Sequence, residues 1–292
     1  MKIALFGRDL DPQFFPDMKK LVSVLKANNT ELILHHRFYQ FLKEQWKCTP
    51  EGKIFSDTDK PASDTDYFFS IGGDGTFLEA ASYVRESGIP VVGFNTGRLG
   101  FLADLSLEEI ENVIQCLSDG NYRIEKRSLL EAKTGNKLFS PNNYALNEVT
   151  VHKMDTSSMI TIHAYLDNQF LNSYWADGLI IATPTGSTAY SMSVGGPIVA
   201  PESGNLIITP IAPHNLTNRP LVIHENIEIK LKVDGRGDFC RASVDYRSEK
   251  MALGSEMIIR KAPFSIHVVK FPKHNFYSTL RNKLMWGLDK RN

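Results

Sequence analysis

The spacing of apolar residues changes at about Tyr122, and this change predicts two domains of different architecture. Before Tyr122, segments with the pattern of buried strands, such as Lys2–Phe6 and Glu31–Leu34, alternate with a segment of helical spacing at Asp17–Lys26. Strands that alternate with helices favour a parallel sheet with crossover helices. We therefore predict that residues 1–122 form a Rossmann-like α/β domain.

The same alternation continues through the rest of this first domain. A polar, proline-containing segment, Glu51–Asp66, is predicted to be an exposed loop. Ser106, with Glu109 following in the next turn, is typical of the capping box that begins a helix. The other predicted elements are the strands Tyr67–Ile71 and Ile89–Gly93 and the helices Phe77–Arg85 and Leu107–Leu117.

After Tyr122 the helical patterns give way to short runs with the character of strands. Closely spaced strands with turn signals between them favour a β-rich domain, a layered sheet or sandwich, over residues 123–272. Residues 273–292 are predicted to contain a helix, Tyr277–Gly287, that packs back on the first domain. The predicted strands are Leu146–Val151, Met159–Leu166, Gly178–Ala182, Leu206–Thr209, Glu228–Val233, Met257–Arg260 and Ser265–Lys270.

Charge and cysteine content exclude several classes of protein. Binders of nucleic acids and acidic membranes need an excess of basic residues, whereas this chain of 292 residues has 33 Lys and Arg against 33 Asp and Glu. We therefore expect neither a nucleic acid nor a membrane as partner. The cysteines, Cys48, Cys116 and Cys240, form no CxxC pair and fit neither a disulfide framework nor a zinc cage. This pattern indicates a cytoplasmic location, and the spacing of the histidines predicts no metal site.

The run Gly72-Gly73-Asp74-Gly75-Thr76, between a predicted strand and a predicted helix, is the strongest chemical signal. Glycines let backbone N–H groups approach an anion closely, and the following helix directs its positive end at the same place. A carboxylate there repels phosphates unless it binds Mg²⁺ or takes a proton from an attacking hydroxyl. The run therefore predicts a phosphate site with a chemical role for Asp74. The alternative is a tight turn in which Asp74 only caps the helix.

Further polar runs flank the predicted strands. Asp177-Gly178 leads into one strand, Thr183-Pro184-Thr185-Gly186-Ser187-Thr188-Ala189-Tyr190 follows it, and Gly195-Gly196 comes shortly after. Short hydrogen-bonding groups at this density suit a ribose or an adenine, and the alternative is a Ser/Thr-rich turn. Asn147-Glu148 lies in a strand-like run, so its side chains point to opposite faces. Here the alternative is an edge strand with both groups exposed.

These runs, in this order, resemble the NAD kinases. The resemblance also rests on Asn95-Thr96-Gly97-Arg98-Leu99-Gly100-Phe101-Leu102, on Thr209–His214 and on Asn218-Arg219-Pro220, and the tail from Thr279 to Arg291 is similar too. The GGDGT run alone is shared with diacylglycerol-type lipid kinases. The TPTGSTAY run with its preceding Asp-Gly is much more specific.

The resemblance implies phosphorylation by ATP, with Mg²⁺ or another divalent cation, of the 2′-hydroxyl of the adenosine ribose of NAD, which gives NADP. Asp74 would be the general base on that hydroxyl, and Asn147 and Glu148 would approach the adenosine half of NAD. A homodimer or homotetramer is implied, in which Asp177 reaches the dinucleotide across a subunit contact. The other residues implied to bind NAD or ATP are Gly72, Gly73, Gly75, Thr76, Phe101, Thr185, Thr188, Ala189, Tyr190, Ser193, Ala212 and Asp245.

One position departs from the family pattern, and the chemistry has alternatives. Where the family usually has Asp-Gly, this chain has Asp245-Tyr246, which alters the surroundings of the contact expected at Asp245. The alternative functions are a related lipid kinase, which the even charge balance does not favour, and a non-catalytic dinucleotide sensor. A sensor would gain nothing from Asp74 beside phosphates. No short run distinguishes ATP from polyphosphate as the phosphate donor.

Overall fold

A computed structural model of the chain describes residues 1–47, 50–57, 59, 61–154 and 159–286. The chain divides into two compact units. The first unit is Met1–Lys126 with Ile266–Asn292, and the second unit is Arg127–Ser265. Cys48 and residues 287–292 of the predicted C-terminal helical segment lie outside the described residues.

Strands outnumber helices among the described elements. The strands are β1 (Lys2–Gly7), β2 (Glu31–His35), β3 (Lys53–Phe55), β4 (Tyr67–Ile71), β5 (Val91–Asn95), β6 (Leu105–Ser106), β7 (Arg123–Thr134), β8 (Tyr144–Ala145), β9 (Glu148–His152), β10 (Ile160–Leu166), β11 (Gln169–Ala176), β12 (Gly178–Ala182), β13 (Asn205–Ile211), β14 (Leu221–His224), β15 (Ile229–Gly235), β16 (Phe239–Val244), β17 (Arg247–Ala252) and β18 (Glu256–Lys270). The α-helices are α1 (Phe15–Ala27), α2 (His36–Trp46), α3 (Asp74–Val84), α4 (Ile110–Ser118), α5 (Tyr190–Ser193) and α6 (Phe276–Leu284). Short 3-10 turns lie at Pro12–Phe14, Arg85–Ser87, Leu107–Glu109 and Thr185–Thr188.

The first unit is built on a parallel sheet with the strand order β3–β2–β1–β4–β5. Every residue of β1 and β4 is buried, as expected for a parallel sheet that is covered on both faces. The chain moves outward from β1 to β3 and then returns to the other side of β1, so the strand order reverses between β1 and β4. The loops that follow these two strands therefore flank the crevice where open α/β sheets bind their ligands.

Amphipathic helices cover this sheet. Helix α1 buries Leu21 and Leu25, and α4 buries Ile110 and Ile114, pairs whose spacing places them on one helix face. These side chains join Phe69 of β4 in one hydrophobic core. The sequence of each helix thus fixes which face packs on the sheet.

The capping box that the sequence predicts at Ser106 is confirmed. The N–H of Ser106 donates to Glu109 Oε2 at 2.9 Å, and Ser106 Oγ accepts from the N–H of Glu108 at 3.3 Å. These bonds satisfy N–H groups that have no partner inside the helix. The cap begins the 3-10 turn that leads into α4.

Several elements of the first unit differ from the sequence prediction. Helix α3 begins at Asp74 rather than Phe77, because the glycine-rich run itself forms the first turn. Strand β3 lies inside the predicted loop Glu51–Asp66, where its three residues are too few to show a pattern. Helix α2 was not predicted, since it follows β2 directly and its N-cap residue, His35, makes no side-chain capping bond.

The second unit is formed by two antiparallel sheets that share one core. The first sheet has the order β14–β13–β12–β9–β16–β17, and the second contains β11–β10–β15–β18. Val151, Leu179 and Ile181 of the first sheet pack with Ile162 and Leu231 of the second. The α/β fold of the first region and the layered β-rich fold of the second are as the sequence predicts, so the predicted fold class is confirmed.

Strand β18 corrects one detail of the prediction for the β-rich region. The predicted strands Met257–Arg260 and Ser265–Lys270 are one continuous strand, which passes through Pro263. Proline usually interrupts the interior of a sheet, and that rule explains why the sequence pattern divides the strand.

Among the described residues, no helix is long and apolar enough to cross a membrane.

Candidate active site

The loop after β4 has the geometry of an anion site. Gly72 has a φ of 152°, and a Cβ there would lie 2.3 Å from Thr76 Oγ1, so only glycine fits. At Gly73 and Gly75, by contrast, a Cβ would meet nothing within 4 Å. The first N–H groups of α3, which begins at Asp74, have no partner within the helix and carry its positive dipole end. The loop therefore presents N–H donors and open space together, which suits a phosphate.

Asp74 does not cap its own helix. Its Oδ1 accepts hydrogen bonds from the N–H groups of Leu102 at 2.9 Å and Ala103 at 3.0 Å, and its Oδ2 accepts one from Phe101 at 3.0 Å. The N-cap residue of α3 is Gly73, and no side chain caps the helix. The alternative in which Asp74 serves only as a helix cap is therefore wrong.

We call residues 100–103 the carboxylate turn, because three of its N–H groups hold Asp74. The turn closes with a bond from the N–H of Gly100 to the carbonyl of Ala103 at 3.0 Å. A Cβ at Gly100 would lie 2.1 Å from Asp74 Oδ1, so the approach of the carboxylate requires glycine. Leu102 and Ala103 are buried, and their backbone packs on Gly93 of β5.

The hydrogen bonds of the carboxylate turn leave one direction open on Asp74. A carboxylate oxygen can accept two hydrogen bonds, and Oδ1 already accepts two while Oδ2 accepts one from an N–H group. The ammonium of Lys283, from α6, lies 3.6 Å from Oδ2 and 4.8 Å from the centre of the Phe101 ring. Oδ2 is therefore the atom that can accept a proton from a hydroxyl. The sequence reasoning gave Lys283 no role, although it lies in the tail on which the resemblance partly rests.

A buried ion pair supports the carboxylate turn from behind. Lys270 Nζ lies 2.6 Å from Oδ2 of Asp104, the residue that follows the turn, and the side chains are only 3% and 5% exposed. Strand β6 continues from there, and Asn95 Nδ2 donates to the carbonyl of Leu105 at 2.9 Å. The segment that holds Asp74 is thus fixed to the sheet at its far end. No local pattern in the sequence indicates this pair.

The second unit contains a similar arrangement at Asp245. Its carboxylate accepts hydrogen bonds from the N–H groups of Leu146 at 2.9 Å, Asn147 at 2.8 Å and Glu148 at 3.2 Å. The Asp245 side chain is 3% exposed, and burial raises its pKa although these bonds and Arg247 act in the opposite direction. Asp245 thus holds the backbone of the segment that carries Asn147 and Glu148, and its own contact with a ligand stays a prediction.

Glu148 combines a raised pKa with a buried oxygen that has no hydrogen-bond partner among the described residues. Burial, and then the negative charge of Asp245, raise the pKa of Glu148 from 4.5 to about 8. Its Oε2 is buried and has no hydrogen-bond partner among the described residues. At neutral pH this side chain therefore carries a proton and has one oxygen available for a hydroxyl group of a ligand.

The Thr183–Tyr190 run folds into a 3-10 turn followed by α5. Thr183 Oγ1 donates to the carbonyl of Leu146 at 2.6 Å, and a Cβ at Gly186 would lie 2.1 Å from the carbonyl oxygen of Asn147. The hydroxyl of Thr185 accepts from Arg127 at 3.2 Å, and that of Thr188 donates to the Thr185 carbonyl at 3.2 Å. The turn is therefore packed against the Asn147 segment. Beyond it, Ala189 is half-buried, and Tyr190 and Ser193 are exposed.

The predicted residues of the second unit form two groups at opposite ends of β12. Ala182 pairs with Glu148 at one end, whereas Gly178 pairs with Ile211 at the other, next to Asp177 and Ala212. The five residues of β12 separate the two ends by roughly 13 Å at about 3.3 Å per residue. The structure therefore does not bring Asp177 and Ala212 together with Glu148 within one chain.

The group beside Asp177 contains an ion pair and an unusual backbone. Lys153 Nζ lies 2.7 Å from Asp177 Oδ1. Ala212 has a φ of 44°, in the left-handed region that residues with a Cβ rarely adopt. The rings of Trp175 and His214 pack there with centres 5.7 Å apart and planes tilted by 37°.

The structure brings His35 and His36 together with Asp57, a cluster that the spacing of the histidines in the sequence does not indicate. His35 and His36 follow each other at the end of β2, and their ligand atoms and those of Asp57 lie within 4.8 Å of one another. Burial lowers the pKa of His35. Asp57 already binds Arg37 at 2.5 Å and the hydroxyl of Tyr83 at 2.8 Å. Because the guanidinium neutralises the carboxylate, we assign no metal to this cluster.

Two family models match this chain. The model of the ATP-NAD kinase N-terminal domain matches residues 3–122, and that of the C-terminal domain matches residues 146–271. A protein of Flavobacterium psychrophilum named NAD kinase is 48% identical over 294 aligned residues, which cover 100% of both chains. One of Bacteroides fragilis with the same name is 44% identical over 291 residues, again with 100% of both chains covered.

Solved structures of similar fold carry related names. Yeast NADH kinase complexed with NADH superimposes with a TM-score of 0.86 at 24% identity, over 98% of this chain and 88% of that one. An NAD kinase from Archaeoglobus fulgidus in complex with ATP gives a TM-score of 0.74 at 24% identity, over 96% and 99%. At this level of identity the likeness shows the fold.

Replacement of Lys270 by Met is expected to destabilise the first unit, because it leaves the Asp104 carboxylate buried without its partner. The free energy of unfolding, measured by chemical denaturation, should fall by about 3–5 kcal/mol. The double variant Lys270→Met/Asp104→Leu removes both charges and should recover most of that loss. If the double variant unfolds as easily as the single one, the unpaired carboxylate is not the cause.

Glu148 is expected to make stability depend on pH. Because its pKa is about 8 in the folded protein and 4.5 ordinarily, the stabilisation is complete below about pH 4.5 and is lost as the pH rises through about 8. The Glu148→Gln variant lacks this titration. The wild-type free energy of unfolding should therefore fall relative to that of the variant across this range, and a constant difference would contradict the assignment.

Proposed function

This chain belongs to the ATP-NAD kinase family, and from that membership we propose that it transfers the γ-phosphoryl group of ATP to the 2′-hydroxyl of the adenosine ribose of NAD, giving NADP. The chain is thus a phosphotransferase that acts on NAD. The N-terminal and C-terminal NAD kinase models both match this chain, whereas the lipid kinases share only the GGDGT run with it.

The observation that carries the mechanism is the open direction on Asp74 Oδ2. A ribose hydroxyl is a weak nucleophile, and a positioned base accelerates its attack by about 10²–10⁴. As the 2′-oxygen forms its bond to the γ-phosphorus, its proton passes to Asp74 Oδ2. The bond from the γ-phosphorus to the β,γ-bridging oxygen breaks, and its electron pair leaves with ADP. The carboxylate turn keeps the other acceptor positions of Asp74 occupied, which fixes the carboxylate for this transfer.

The glycine loop suits the phosphates of the donor. Gly73 and Gly75 are exposed, and a side chain at either would extend into the space above the first turn of α3. This space leaves room for phosphate oxygens to accept hydrogen bonds from the N–H groups of that turn. Thr76 is buried beneath the loop and supports Gly72.

The residues of the loop fit a divalent cation that is bound together with the phosphates of ATP. Proteins commonly hold Mg²⁺ by one or two carboxylates together with substrate phosphates. Asp74 is the carboxylate in the loop itself, and Asp104 is engaged by Lys270. We therefore propose that the phosphates of ATP would supply most of the ligands of the ion, which would neutralise charge on the phosphates.

The second unit is proposed to bind the dinucleotide. Asn147 and Glu148 sit on a backbone that Asp245 fixes, and the protonated Glu148 has a free oxygen for a ribose hydroxyl. The adjoining turn places Thr185 and Thr188 at its base and exposes Tyr190 and Ser193, with Ala189 between them. Phe101, next to Asp74, is proposed to lie near the adenine.

A homo-oligomer is proposed because of the position of Asp177. The length of β12 separates Asp177 and Ala212 from Glu148 in one chain, and the resemblance to the family implies that Asp177 reaches the dinucleotide across a subunit contact. Whether the assembly is a dimer or a tetramer stays a prediction. The cytoplasmic location and the expectation of no nucleic-acid or membrane partner stay predictions as well.

The Asp74→Asn variant is expected to lose at least about a hundredfold in kcat, because the amide cannot accept the proton, while the KM for NAD changes little. Formation of NADP is measured with an NADP-specific dehydrogenase, with ATP and Mg²⁺ present. Asp119→Asn, at an exposed position of the first unit, is the matched control and should retain full activity.

Two outcomes of this experiment would contradict the proposal. Full turnover of Asp74→Asn at saturating substrate would remove Asp74 from the role of base. If the wild type makes no NADP with ATP or with polyphosphate but binds NAD by calorimetry, the chain is a dinucleotide sensor instead.

A further inference from the structure

Helix α6 delivers a cation to the catalytic carboxylate. Its first turn is capped by Asn275, whose side chain accepts from the N–H of Ser278 at 3.0 Å. Phe276, Leu280 and Lys283 follow at positions i, i+4 and i+7, which share one face of a helix. Leu280 is buried, and the Phe276 ring lies 6.4 Å from that of Phe101 in the carboxylate turn. The packing of this face aims Lys283 at Asp74.

The position of Lys283 conflicts with the role of Asp74 as a base. Its ammonium lies 3.6 Å from Oδ2, the oxygen that must accept the proton. An ammonium there occupies the one open direction of the carboxylate, from which the hydroxyl must approach. A lysine that stayed in place throughout the reaction would therefore oppose the step that Asp74 performs.

The surroundings give Lys283 another partner during the reaction. Its side chain is 34% exposed and touches the face of the Phe101 ring, so its flexible stem is free to turn toward the space above Gly73 and Gly75. A bound triphosphate carries more negative charge than one carboxylate, and lysine is a common phosphate ligand. The donor can thus draw the ammonium away from Asp74.

We propose that Lys283 is a catalytic residue whose ammonium leaves Asp74 and binds the transferred phosphoryl group when the donor binds. The exchange frees Oδ2 to take the proton of the hydroxyl and places a positive charge where charge builds up on the phosphoryl oxygens. Lys283 keeps its own protons throughout, so the bonds that form and break are those of the proposed transfer. This inference rests on the proposed function.

The alternative is that Lys283 only fastens α6 to the first unit. A partly exposed ion pair at 3.6 Å contributes little to stability. Thr279 and Leu280 are buried and Phe276 contacts Phe101, so the helix has other anchors. A structural role would therefore reveal itself as a fall in melting temperature.

The test compares Lys283→Met with Arg281→Gln, a control that removes a positive charge from an exposed position of the same helix. With NAD, ATP and Mg²⁺, the kcat of Lys283→Met should fall by about 10²–10³, as for other single groups that stabilise developing charge. Its KM for NAD and its melting temperature should stay near the wild-type values. Lys283→Arg, which keeps the charge, should recover part of the loss.

A complex with the donor distinguishes an exchange of partners from a fixed ion pair. In a crystal structure with a non-hydrolysable ATP analogue, Lys283 Nζ should lie within hydrogen-bond distance of the γ-phosphate. It should also lie farther from Asp74 Oδ2 than the 3.6 Å of the free protein.

Each contrary result has a definite meaning. Equal turnover of Lys283→Met and wild type, or a loss that accompanies a fall in melting temperature, would overturn the catalytic role. A Lys283 ammonium that stays 3.6 Å from Asp74 Oδ2 with the ATP analogue bound would overturn the exchange. A wild type that forms no NADP would overturn the proposed function on which the inference rests, and this outcome is read in the first assay, before any variant is compared.

Discussion

The bonding of the Asp74 carboxylate to three consecutive N–H groups is the interaction on which the proposed chemistry depends. It fills three acceptor positions and leaves one, so a side chain with several possible partners is reduced to a single open direction. Glycine at position 100 is required for this close approach, and the buried pair of Lys270 and Asp104 fixes the segment to the sheet. The position of the Asp74 carboxylate is therefore set mostly by backbone groups and by a buried ion pair behind them.

The second unit contains a second aspartate bonded to consecutive N–H groups, in different surroundings. Asp245 also receives three consecutive N–H bonds, but its side chain is 3% exposed, against 31% for that of Asp74. It fixes the backbone of Asn147 and Glu148, and its charge helps to keep Glu148 protonated. In the proposed function one aspartate is therefore held so that it can react, and the other is held so that its neighbours can bind. Identical hydrogen-bond patterns do not by themselves indicate identical roles; exposure decides between them.

The sequence was sufficient for the parts of the fold that depend on local patterns. The alternation before Tyr122, the glycine-rich run between β4 and α3 and the capping box at Ser106 are all local, and the structure agrees with them. The contacts of Asp104 with Lys270 and of Asp245 with Asn147 join residues 166 and 98 positions apart, so no window of sequence contains both partners. The same holds for Lys283, which only the folding of α6 brings to Asp74. The prediction of two strands around Pro263 was wrong, because β18 continues through this proline in the folded protein.

The central claim is that Asp74 Oδ2 receives the proton of the ribose hydroxyl. The most direct measurement is a crystal structure of the wild-type protein with NAD and a non-hydrolysable ATP analogue. We predict that the 2′-oxygen lies within hydrogen-bond distance of Oδ2, about 2.6–3.2 Å, while the three N–H bonds of the carboxylate turn persist. A 2′-oxygen that contacts another base, with Asp74 still enclosed by the turn and by Lys283, would contradict this claim.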